Sequence, residues 1–216
     1  MSARYFPYSI RFWQFFAIMV LGNYYGGFFA YSYKTFGENT SPHPQISDLT
    51  LTWAASIGAG LVNGLSRVFI GTLVDKYTFK TLMGILMTIQ LVNACVCFWA
   101  AYVPALYFIC ILVNYGCVAG IFTVFPSSVT NVFGLEIGPQ IYVQILFGGF
   151  ISSILNLITS KYLLPATNFV TMFYVGAMFQ VVTLFFIWWF KEELDVENLA
   201  KRNALKLKLP QRAIAE

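Results

Sequence analysis

The residue with the most evident chemistry in this chain is Arg67. It sits in "NGLSRVFIGTLVDKYTFK", Asn63 to Lys80, inside a run that otherwise reads as membrane helix. An arginine at the centre of a membrane helix costs about 2.5–3.5 kcal/mol on insertion scales. An arginine kept there is expected to hold an anion or to pair with a buried partner. Snorkelling is the competing reading, because Arg67 lies eight residues before Asp75, roughly 12 Å along a helix at 1.5 Å per residue. Residues three and four apart share a helix face. The face of Arg67 runs back through Gly64, Asn63, Gly60 and Ser56 and forward to Gly71. This small, polar seam is expected to face protein or a cavity. Leu61, Leu65, Val68, Phe69 and Leu73 would face lipid or packed neighbours.

A second polar seam recurs every four residues at Gln140, Gln144, Gly148, Ser152 and Asn156. Asn114, Gly116, Gly120 and Pro126 mark another stretch, and Asn23, Gly26 and Gly27 a third, in "NYYGGFF". Small residues let membrane helices approach closely, so close packing accounts for most of these positions; glycines beside aromatics could equally line a pathway. Other chemistries find little support. Cys95, Cys97, Cys110 and Cys117 fall in apolar runs and read as small apolar residues. The one histidine, His43, lies in a loop between prolines. No nucleophile, base or metal constellation stands out, so neither an enzyme nor a metal or other cofactor is expected.

The elements that must position these residues are membrane helices. The 216 residues are 58% hydrophobic and 10% charged, against about 25% charged in soluble domains, and the mean hydropathy is +0.69. Apart from Arg67, the basic residues behind the net charge of +4 lie in loops and tail, which does not suggest nucleic acid. A membrane helix needs about 20 mostly apolar residues. Six segments qualify: 12–33, 49–73, 82–101, 105–129, 140–160 and 169–190. The chain thus divides into an N-terminal segment, 1–11, an all-α six-span domain, 12–190, and a polar tail, 191–216, expected to form an amphipathic surface helix. Six spans put both termini on one side, with Arg4, Arg11, Lys76, Lys80 and six basic residues of the tail, against Lys34 and Lys161 opposite. That bias places the termini in the cytoplasm, or in the matrix of a mitochondrion. The start, "MSARYFPYSIR", has basic residues and no acid, as a mitochondrial targeting segment does.

"NGLSRVFIGTLVDKYTFK" resembles the second span and following loop of major facilitator superfamily transporters. Gly71, Asp75, Lys76 and Lys80 match that loop's glycine, aspartate and basic residues, with Thr78 or Phe79 where the family has an internal glycine. "NGLSR" is similar to the oxalate/formate antiporter and monocarboxylate transporter branch. "GIFTVFPSSVTNVFG", Gly120–Gly134, resembles that branch's tenth span and loop, and "RFWQFFAIMVLGNYYGGFF" the start of its seventh. The resemblance covers Arg11 to Phe190 and is to the C-terminal six-span half alone. It implies a substrate carboxylate held by an arginine at the position of Arg67. The branch's antiporters also carry a lysine on the eleventh span. The matching stretch here, "QILFGGFISS", has no charge, which speaks against a dicarboxylate such as oxalate.

Two functions are therefore expected. The first is an accessory subunit: a transporter half held in a larger membrane complex, a respiratory assembly of the mitochondrial inner membrane for example, with other subunits or lipid over its cavity face. The second is a carrier of small carboxylates. In it two copies rebuild the twelve-span cavity, Arg67 binds the anion, Asn63 orients it, and Asp75, Lys76 and Lys80 latch the loop. The balance favours the subunit.

Overall fold

The computed structural model describes residues 9–38 and 44–191, and these form six long helices with short connections. They are α1 (Ile10–Glu38), α2 (Asp48–Val74), α3 (Phe79–Ala100), α4 (Pro104–Phe133), α5 (Gly138–Ala166) and α6 (Phe169–Trp189). The chain is an all-helical membrane bundle: α2 to α6 are each long and apolar enough to cross a membrane. At 29 residues α1 also has the length, but tyrosines, glycines and a glutamine dilute its apolar character. The tail expected to form a surface helix lies outside the described residues from 192 onward, as do His43 and residues 1–8.

Local chemistry sets the helix starts. Ser47, Thr78 and Asn168 accept hydrogen bonds from the backbone N–H groups of Thr50, Thr81 and Thr171 at the heads of α2, α3 and α6, relieving donors that a helix start leaves unpaired. The α3–α4 turn, expected at 102–104, falls one residue earlier, at 101–103, because Pro104 is itself the first residue of α4, a position where its missing N–H costs nothing. Gly134 ends α4 at φ 88°, a conformation side chains disfavour. Helices α2 and α5 each contain a wider π-helical stretch, Ile57–Val62 and Thr159–Leu163.

α1 lies at the centre, packed on α5, α6 and α4. α3 packs on α6 and α4, while α2 leans mainly on α4. The core has two aromatic layers. At the end bearing both described termini, the Phe15 ring meets those of Phe79, Phe125, Phe133 and Phe190. Toward the other end, Phe29, Phe36, Tyr107 and Phe173 pack together. Between these layers lies a buried polar one. Gln180 Nε2 of α6 donates to the Gly22 carbonyl of α1 and to Gln90 Oε1 of α3, both at 3.0 Å. Asn114 Nδ2 of α4 donates to the Gly26 carbonyl at 3.2 Å. Four helices are thus tied together where no water is available to satisfy an amide.

Candidate functional site

The site assembles on α2. Its packing face is the stripe Gly58, Val62, Ser66 and Ile70. Tyr115 of α4 sits directly over Gly58, Gly116 faces Ser66 and Val62, and Gly120 faces Ile70. The glycines permit this approach; a Cβ on Gly116 would lie 3.1 Å from Ser66 Oγ. Asn63, Arg67 and Gly71 lie about 100° around the helix, one residue on from that stripe, and Gly60 and Gly64 about 200° around, two residues on. A Cβ at Gly60 or Gly64 would meet nothing within 4 Å. The seam, expected to face protein or a cavity, is not covered by this bundle: Arg67 and Gly64 are exposed and Asn63 is half-buried. The stripe that packs is the one beside it.

The seam instead borders an open cleft. α2 and α5 both pack on α4, with no substantial contact between them. Across the gap, half-buried Tyr142 of α5 lies within electrostatic range of Arg67. Arg67 Nε donates to Asn63 Oδ1 at 3.0 Å, one helical turn away. That bond fixes the side chain along the helix and leaves the two terminal amino groups of the guanidinium, a planar donor fork suited to a carboxylate.

Gly71 faces Thr123 of α4, whose Cγ2 would lie 3.9 Å from an added Cβ. Asp75 and Lys76 are exposed in the α2–α3 loop. Lys80, at the head of α3, donates from Nζ to the Trp188 carbonyl of α6 at 2.5 Å. The loop motif therefore tethers α3 to the end of α6, within this bundle. Arg11 donates to the Lys191 carbonyl and lies over the Phe190 ring, so Arg11, Lys80 and Lys191 gather at one end. At the other end Lys34 Nζ pairs with Asp48 Oδ1 at 2.6 Å and, less closely, with Glu38.

The α5 seam is not a single face, which corrects the reading of it as one. Gln140 and Gln144 are exposed, whereas Gly148, Ser152 and Asn156 are buried against α1. A Cβ on Gly148 would lie 3.2 Å from the Phe16 carbonyl oxygen, and one on Gly27 would lie 2.7 Å from Asn156 Nδ2. A four-residue step overshoots a helical turn by about 40°. Four such steps turn the stripe through roughly 160°, so its two ends look in nearly opposite directions. The end with Gln140 and Gln144 is exposed, and the end with Gly148, Ser152 and Asn156 serves packing.

Gln90, Gln180, Tyr142 and the Tyr24 hydroxyl, which donates to Thr159 Oγ1 at 2.9 Å, were not anticipated. For Gln90 and Gln180 the signal was present, since an amide in an apolar membrane run needs a partner. No protein-family model matches the chain, and no curated protein resembles it closely enough to count as a relative.

Proposed function

We propose that the chain is a transporter-type six-helix module that works as one subunit of a larger membrane assembly, with its α2/α5 face covered by another membrane-protein bundle. One observation carries this reading. In α2 only 11% of the residues in the most apolar stretch are buried, and 28% in α5, against 44% in α3 and α4. The same two helices expose Arg67, Gln140 and Gln144. Polar side chains in lipid are costly unless satisfied. A face that combines unburied apolar bulk with an arginine is suited to a protein partner with its own polar groups.

The resemblance to one half of a major facilitator superfamily transporter supports the same geometry, because in that superfamily the substrate is held between two six-span halves. The basic, acid-free start makes an assembly of the mitochondrial inner membrane the proposed home. Gently solubilised protein examined by native mass spectrometry should run as a complex with different membrane subunits. A chain found alone or only with itself would overturn the subunit reading.

A second reading has its own observation. The Arg67–Asn63 hydrogen bond leaves the guanidinium fork open toward the cleft beside Tyr142, an arrangement that would take a small monocarboxylate. On this reading two copies form the carrier. A homodimer that takes up lactate or formate in liposomes, and loses uptake on Arg67→Ala, would establish it in place of the subunit.

A further inference from the structure

Cys97 and Cys110 face each other across the α3–α4 hairpin. Cys97 lies four residues before the 101–103 turn, near the end of α3, and Cys110 seven residues after it, near the start of α4. Their side chains interact across the packed α3–α4 contact. Asn93 Nδ2, one turn before Cys97, donates to the Cys110 carbonyl at 3.2 Å and fixes the register of the pair. Their exposure differs. Cys97 is fully buried, while Cys110 is half-buried and forms part of the wall of an open groove between α3 and α4. The groove, of about 350 Å³, is otherwise lined mainly by Ile89, Val92, Val96, Ile109 and Val113. In a membrane such a surface is filled by acyl chains.

We propose that Cys97 and Cys110 form an oxidisable thiol pair, with Cys110 reacting first with an organic hydroperoxide in the groove and Cys97 resolving it to a disulfide. The Cys110 sulfur attacks the terminal peroxide oxygen and the O–O bond breaks. The alkoxide leaves as an alcohol after taking a proton, and Cys110 becomes a sulfenic acid. The Cys97 sulfur then attacks that sulfur, the S–O bond breaks and water leaves. Overall, two thiols and one hydroperoxide give one disulfide, one alcohol and one water: the peroxide is reduced and the thiols are oxidised. The apolar lining selects the oxidant, favouring a membrane-soluble hydroperoxide over hydrogen peroxide.

Cys95 provides an internal comparison. It is exposed, two residues from Cys97, and so is the α3 cysteine that accessibility alone would select. The full chain in liposomes is treated with cumene hydroperoxide, its remaining thiols are alkylated under denaturing conditions, and peptides are read by mass spectrometry. The expected product is a Cys97–Cys110 peptide pair lighter by two hydrogens, while Cys95 is recovered alkylated. Cys110→Ser and Cys97→Ala should each abolish that pair. In Cys97→Ala, dimedone should trap the sulfenic acid at Cys110, a readout that does not require the crosslink. Size-exclusion profiles matching wild type exclude misfolding as the cause. Consumption of Cys95 with Cys97 and Cys110 intact would overturn the proposal, as would oxidation of Cys110 that never joins Cys97.

Discussion

At the scale of single residues, glycine divides into two kinds, and the division is testable. A Cβ at Gly26 would lie 2.6 Å from Val118 Cγ2 and 2.9 Å from Gln90 Nε2. It would press on the polar layer where Asn114 and Gln180 hold the α1 carbonyls. Overpacking of this kind typically costs 1–3 kcal/mol, so Gly26→Ala should lower the unfolding temperature of the solubilised protein in a thermal-shift measurement. Gly64→Ala, with nothing near its Cβ, should leave that temperature unchanged, or raise it slightly through the better helix propensity of alanine. Gln180→Leu removes two hydrogen bonds and leaves Gln90 Oε1 unpaired. Such bonds average about 0.6 kcal/mol in a membrane protein, so a loss on the order of 1 kcal/mol is expected in the same assay. Both glycines were visible in the sequence as small residues, yet their roles were not. A glycine's spacing says which helix face it shares, but whether a neighbour presses on that face depends on the partner helix.

Helices as wholes were more legible than their rotations. The long apolar runs located the helices, most ends to within a few residues, although α1 runs on to Glu38 and α5 to Ala166, past the expected 33 and 160; length and composition decide whether a segment can lie in lipid. Rotation about the axis is set by which stripe finds a complementary groove, and a polar seam does not reveal that. On α2 the stripe that packs is Gly58, Val62, Ser66 and Ile70, adjacent to the one that carries Arg67. On α5 the four-residue spacing looked like a face but winds around the helix. Labelling single cysteines along α2, in a background lacking the native four, tests the rotation directly. Positions 61, 65, 68 and 69 should react readily with a small membrane-permeant maleimide in the isolated detergent-solubilised protein. Position 70 should react at least about tenfold more slowly, because Ile70 is buried against Gly120 of α4 and reaction there needs local opening worth about 1.4 kcal/mol or more. Equal rates around the helix would mean that α2 is not seated on α4 in this rotation.

At the scale of the molecule, charge and exposure each argue for an arrangement. Arg11, Lys80 and Lys191 gather at one end through contacts with Lys191, Trp188 and Phe190, while Lys34 with Asp48 marks the opposite end. Positive residues favour the cytoplasmic or matrix side. An impermeant thiol reagent added outside sealed vesicles of known orientation should therefore label a cysteine at position 34 and one at position 76 from opposite faces. Exposure then says where a partner must sit. α1, α3, α4 and α6 bury one another around the two aromatic layers and the amides between them, so the bundle's own stability does not depend on the outward face of α2. Assembly with a partner would. Leucine at position 64 adds bulk where the isolated bundle has open space, beside Arg67 and away from the α4 contact. It should leave the stability of the isolated chain within about 0.5 kcal/mol of the original. It should also reduce the amount of partner recovered with the chain by roughly tenfold, the effect of about 1.4 kcal/mol at an interface. Leucine at position 26 should do the reverse, destabilising the bundle itself. If the two substitutions instead behaved alike, both unfolding the chain or both leaving partner recovery intact, the α2 face would not be where a partner binds.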